Sequence, residues 1–279
     1  TYAVKSTVNL SGGTFIMHGG TITGNESKDY GGGVYVGGNF STFTMNGGTI
    51  SGNYSKSNGG GVYVAANNKF TMTGGTISNN DSTRNGGGVY VSNHAEFAMS
   101  GGTISNNDST EYGGGVYVGG ASSTFTMSGG DIRTNESRNP STGNGAGGGV
   151  YVASSGEFTM SGGTISYNSS GGPGGAGGGG GVYVGGKGTF TMNNGSISTN
   201  LSENMPGAGV YVAANGTFTM NNGSISDNYS HSDNYSENML GAGVYVAANG
   251  TFTRNGGTFS GNLLLTDTNE VPSDVYPSL

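Results

Sequence analysis

Residues Gly59 to Asn80 read GGGVYVAANNKFTMTGGTISNN. The rest of the chain repeats that stretch. The same skeleton returns from Gly31, Gly86, Gly113, Gly147, Gly179, Gly207 and Gly241, and a half-copy, TFIMHGGTITGN, opens at Thr14. Self-similarity at a fixed period marks a solenoid or a repeat array. Three segments of the skeleton alternate apolar and polar residues with period two, the pattern of a half-buried strand. Val62, Val64, Phe70, Met72 and Ile77 are expected to point inward, with Tyr63 and Thr71 outward. The joints AANN and TGG carry residues at which a backbone bends.

The methionine markers are Met17, Met45, Met72, Met99, Met127, Met160, Met192 and Met220, with Arg254 in the ninth place. Their spacings are 28, 27, 27, 28, 33, 32, 28 and 34 residues. That suits one coil of a parallel β-helix and is short for a propeller blade of about 40–45 residues. Ankyrin and tetratricopeptide repeats are closer in length, about 33–34 residues, but require helical periodicity. No stretch of this chain has it.

Valine, isoleucine, leucine and phenylalanine make up only 47 of the 279 residues, and glycine alone 61. By composition the chain reads as low-complexity, but its apolar residues fall on fixed positions and need only fill a thin interior. Net charge is −7 with no basic patch, which argues against a nucleic-acid partner. No run of about 18 apolar residues is present, so no insertion of this segment in a membrane is expected. Cysteine is absent. There is no phosphate loop, dinucleotide fingerprint or zinc spacing, and the calcium β-roll needs an Asp in every Gly-rich repeat. No cofactor or metal is expected. The chain starts inside a repeat without an initiating Met and reads as part of a longer surface protein. Residues 1–13 form a partial coil or cap, with Tyr2-Ala3-Val4 in the place of Val-Tyr-Val. Residues 14–262 are the repeats, and residues 263–279 a cap or tail, with Leu263–Leu265 folding over the last coil.

Each coil ends on an asparagine: Asn25, Asn53, Asn80, Asn107, Asn135, Asn168, Asn200, Asn228 and Asn262. Nine in register predict an inward ladder of stacked amides. The first eight are followed by x-Ser and are formally glycosylation sequons. A sequon does not fix the distance back to the third-strand apolar residue, which here is always three, and this favours the ladder. The joint after each Asn holds five residues in the first coils, such as ESKDY at 26–30, and later grows to Glu136–Ala146, Ser169–Gly178 and Tyr229–Leu240. Of the 25 charged residues, 13 lie in these joints. Insertions that always enter at one joint map to one edge of a solenoid, either as drift or as a binding face.

The first strand presents Tyr35, Tyr63, Tyr90, Tyr117, Tyr151, Tyr183, Tyr211 and Tyr245. Rings at coil spacing either stack into a stiffening ladder or offer an aromatic strip to sugars or protein. The second and third strands present Thr and Ser, interrupted on the third by Asp131 and Arg133. Such rows suit an ice-binding solenoid, though Lys69, Glu96 and Glu157 break the second one.

Three period-two strands per coil and the Asn ladder resemble the pectin-lyase-like superfold. That resemblance implies an all-β, single right-handed parallel β-helix of about nine coils with three short strands each. GGGV paired with I-x-x-N, literally FSGN at Phe259–Asn262, also resembles the GGA-I and F-x-x-N repeats of chlamydial polymorphic outer-membrane proteins. Here Ala never follows Gly-Gly in the triplets, and Ile stands for Phe in eight of nine coils. Enzymes of the superfold carry acidic clusters with Ca²⁺, or paired Asp, on the outer face of one sheet. The outer positions read here are Gly, Tyr, Thr and Ser, and His18, His94 and His231 share no register. The expected function is therefore non-enzymatic: an extracellular surface module, stalk or adhesin-like, on a bacterial cell. Its partner is expected to be a host or neighbouring-cell surface protein or glycan. Ice binding, or a degenerate polysaccharide lyase or hydrolase, are the alternatives.

Overall fold

The computed structural model describes residues 7–172, 178–232, 241–266 and 270–276. The chain winds as a parallel β-solenoid, and each strand pairs with its equivalent one coil away, except Glu270–Pro272, which runs antiparallel to Leu263–Thr266. The first sheet runs from Val8–Ser11 through the Val-Tyr-Val strands to Val275–Tyr276. The second runs from Thr14–Met17 to Thr251–Arg254, and the third from Thr21–Thr23 to Thr258–Ser260. Register holds residue for residue: Phe70 lies between Phe43 and Phe97, and Ile77 between Ile50 and Ile104.

A fourth sheet stands beside the three expected. Its strands follow the ladder Asn directly, as Glu26–Ser27, Tyr54–Ser55, Asp81–Ser82 and so on to Leu263–Thr266. Most are two residues long, too short for an alternation to register in the sequence. They take up the start of what reads as a variable joint.

The interior is filled as the alternation predicts. Val62, Val64, Phe70, Met72 and Ile77 are fully buried, and so are their equivalents through the central coils. The phenylalanines stack from Phe15 to Phe252 with ring centroids 4.7–5.1 Å apart, close to the strand spacing of about 4.8 Å. At the corner before the third strand the chain turns through a left-handed glycine. At Gly75, with φ of +87°, a Cβ would lie 2.6 Å from the Met45 Cε of the preceding coil, so each methionine tucks under the next turn.

The ladder is present. Asn107 lies between Asn80 and Asn135, is fully buried, and makes four side-chain hydrogen bonds. Its Nδ2 donates to Asn135 Oδ1 at 2.9 Å and to the Ile77 carbonyl at 3.0 Å. Its Oδ1 accepts from Asn80 Nδ2 at 2.9 Å and from Asn80 N at 3.0 Å. The residue before each ladder Asn has positive φ, as at Asn79, Asn106 and Thr134. That single left-handed step swings the Asn inward and fixes its distance from Ile. The Ser two places on also faces inward and is buried from Ser55 to Ser230. Asn-x-Ser is thus the in-out-in pattern of the corner, and the buried amides are closed to glycosylation.

At the C-terminal end, Asp274 Oδ1 accepts from Asn262 Nδ2 at 2.8 Å and closes the ladder. Leu264 takes the last inward Ser place and is fully buried. Arg254, lacking a further coil to fill, lies over the Phe259 ring at 4.7 Å. At the other end the expectation for Tyr2-Ala3-Val4 needs correction. Those residues lie outside the described ones, and Val8, Asn9 and Leu10 hold the Val-Tyr-Val places against Val34, Tyr35 and Val36. Asn9 in the tyrosine position had broken the pattern.

Candidate binding surface

With the interior spent on packing, recognition falls to four outward rows and the corners between them. On the first sheet, rings from Tyr35 to Tyr211 stack with centroids 4.8–5.5 Å apart and interplanar angles of 3–7°. Tyr245 continues the row at 28° to Tyr211. Joint residues add to it: Tyr30 lies on Tyr63 and Tyr112 on Tyr151. Burial raises the Tyr117 and Tyr183 hydroxyls to about 12, and it raises Tyr63, Tyr90, Tyr151 and Tyr211 as well. All are neutral phenols at physiological pH. Ring faces inside the row meet other rings, so they offer a ligand edges rather than flat faces. Below Tyr35 the row ends, because Asn9 is not aromatic. There a cavity of about 310 Å³ is lined by Asn9, Asp29, Tyr30 and Tyr35.

The fourth sheet carries a row that the sequence reading missed. Alternation turns Asp81, Asp108 and Glu136 outward on neighbouring strands in register, about 4.8 Å apart. The desolvation of Asp108 pushes its carboxyl up to about 6, helped by the charges of Asp81 and Glu136 and opposed by Arg138. Desolvation also raises Asp81. Arg138 Nε pairs with Glu136 at 2.9 Å, Arg84 with Glu111 at 3.4 Å, and Lys56 with Glu26 at 3.2 Å. Asp81 and Asp108 have no ion pair among the described residues. With Tyr54, Arg138 and Pro140 this row lines a groove of about 310 Å³. Its one trace in the sequence is an acidic x in Asn-x-Ser at Glu26, Asp81, Asp108 and Glu136.

The tyrosine row and the acidic row flank the same edge, the joint that leads from the fourth sheet back to the first. Among the described residues no group of three His, Cys, Asp or Glu is placed to hold a metal ion, and no helix is long and apolar enough to cross a membrane. The third-sheet row of Thr and Ser is in register from Thr21 to Thr258, and Asp131 and Arg133 stand exposed within it. No family model, curated protein or solved structure matches this chain.

Proposed function

We propose that this chain is a non-enzymatic extracellular surface module, a stalk or adhesin-like β-helix of a bacterial cell. Its partner would be a protein or glycan on a host or neighbouring cell. The observation that supports this is the division of labour between the inside and one edge. Every coil repeats the same interior, while the joint between the acidic row and the tyrosine row varies most in length and holds 13 of the 25 charged residues. A rigid rod with one variable edge suits display. The tyrosines, from Tyr35 to Tyr245, serve this surface as a stiff wall whose edges and end cavity meet the partner. Beads coated with the whole chain should be retained on target cells. Replacing Asp81, Asp108 and Tyr112 together by Ser should release them. Retention unchanged in that variant would place recognition elsewhere.

One observation favours a second reading. Asp108, its carboxyl raised to about 6 beside Asp81 and Glu136, has the environment of a general acid, which a polysaccharide lyase or hydrolase would use. The row lies on an open sheet face, whereas glycoside hydrolysis asks for two carboxyl groups converging across a sugar. Polygalacturonate and β-glucan incubated with the chain should yield neither new reducing ends nor ultraviolet absorbance from unsaturated ends. Product that disappears with Asp108→Asn would establish the enzyme.

A further inference from the structure

From the second coil to the ninth, the corner between the first and second sheets holds one left-handed residue other than glycine. These are Phe40, Asn67, His94, Ser122, Ser155, Lys187, Asn215 and Asn249, with φ between 54° and 65°. Asn accepts that conformation readily, whereas a bulky side chain is strained in it. Phe40 is the one apolar residue in the row, and it is 82% exposed. An aromatic ring held in water on a strained backbone gains nothing for the fold, and such outliers gather at functional sites.

The turn that carries it is firmly held. Beneath it, buried Asn68 accepts from Ser41 N at 2.6 Å. The Asn68 amide donates to the carbonyls of Gly38, Ala65 and Ala66 at 3.1, 3.2 and 2.9 Å. These bonds fix the backbone on both sides of Phe40, so the turn has little ordering left to do on binding. Beside it opens a cavity of about 300 Å³ lined also by Asn67, Lys69, His94 and Glu96, at the small end of ligand sites. Lys69 Nζ and Glu96 Oε2 pair at 3.1 Å, which leaves the cavity without net charge.

We propose that the Phe40 corner is a carbohydrate subsite for one neutral pyranose ring. The C–H face of the sugar lies on the Phe40 ring. Its hydroxyls meet the Asn67 amide, which donates and accepts, and the His94 imidazole. The ion pair adds a charged donor at Lys69 and a charged acceptor at Glu96. A single aromatic face ringed by donors and acceptors matches a sugar, which has one apolar face and a polar rim. It is too small for the buried centre of a protein interface. The subsite lies on a different corner from the joint edge and rests on the surface-module reading only for a glycan to be within reach.

Saturation-transfer NMR on the whole chain tests it, with methyl β-glucopyranoside, methyl β-galactopyranoside and N-acetylglucosamine at millimolar concentration, and N-acetylneuraminic acid as the charged control. At least one neutral sugar should receive saturation, strongest on the C–H protons of one face. Phe40→Ala should weaken it about tenfold or more, while Phe40→Tyr should preserve it. Phe40→Gly should abolish transfer and leave the melting temperature equal or higher, because the strain goes with the ring. No transfer from any neutral sugar, or transfer that survives Phe40→Ala, overturns the proposal. If cells retain the Phe40→Ala beads and no sugar binds, the surface-module reading stands without this subsite. If Phe40→Ala releases the beads and no sugar binds, Phe40 contacts protein and the sugar assignment fails.

Discussion

Replacing Asn107 by Leu tests the ladder where it is most constrained. The change removes four side-chain hydrogen bonds in a fully buried site. It strands the Asn80 backbone N–H and one N–H of the Asn80 amide, while the Ile77 carbonyl keeps the sheet bond that its parallel register with Ile104 provides. Asn135 Oδ1 keeps the backbone bond from Asn107 N at 3.0 Å. At about 2 kcal/mol for each of the two stranded groups, less about 2 kcal/mol for the apolar surface that leucine buries, the net loss is about 2 kcal/mol. Asn25 provides the contrast. It ends the row, is half-buried, and its side chain makes one ladder bond, to Asn53 Oδ1 at 2.9 Å. Asn25→Leu should cost about 1 kcal/mol. Urea unfolding followed by far-ultraviolet circular dichroism and tyrosine fluorescence separates the two. With a slope on the order of 3 kcal/mol/M, Asn107→Leu lowers the midpoint by about 0.7 M and Asn25→Leu by about 0.3 M. Equal losses at the two positions would refute the ladder as a source of stability.

The close approach of the triplet glycine to the ladder predicts that Gly88→Ala destabilises by about 2–3 kcal/mol, measured in the same way. Its Cβ would lie 2.6 Å from the Gly115 carbonyl oxygen and 2.9 Å from Ile104 Cγ2, and an unchanged midpoint would mean that the coils can part. Asp108 sets a pH dependence. A carboxyl raised to about 6 binds its proton more tightly folded than unfolded, so stability falls as pH rises from about 4 through 6. Asp108 keeps contact with water, which limits the effect to on the order of 1 kcal/mol; Asp108→Asn should raise the melting temperature at pH 7.5 and leave it unchanged at pH 4. For the third sheet, micromolar protein should leave growing ice crystals unfaceted, because Asp131 and Arg133 interrupt the hydroxyl row. Faceted crystals, lost with Thr103→Lys, would replace the surface-module reading by ice binding. Excision of residues 140–144 should shift the urea midpoint very little, since this exposed turn is closed on itself by Asn139 and Asn144.

What could be read in the sequence follows from how many times it is written. Val62, Phe70, Met72, Ile77 and Asn80 each state one requirement of the coil, and every other coil restates it. A chance pattern would not survive nine copies, so the solenoid and its ladder were legible. The fourth strand was not, because two residues such as Asp81 and Ser82 hold less than one period of alternation. They also sit where the joints begin to vary, and Asn-x-Ser suggested a modification signal instead of an inward pair around an outward acid. At the N-terminal end two substitutions, Asn9 for Tyr and Leu10 for Val, were enough to hide the first strand.

Binding works against legibility for the same reason. A residue that recurs in every coil is held there by packing with its neighbours above and below, as the tyrosines are. A residue that recognises a partner needs to be placed only once. Phe40, Arg138 and Asp108 owe their positions to the turn and strands beneath them, but nothing in the next coil demands their identity. Their chemistry becomes visible only when neighbouring coils are brought together: Phe40 beside Asn67 and His94, and Asp108 between Asp81 and Glu136. Residues 27 or 28 apart in the chain become lateral neighbours about 4.8 Å apart. On a surface of this kind single substitutions change the exposed chemistry without disturbing the ladders that hold it.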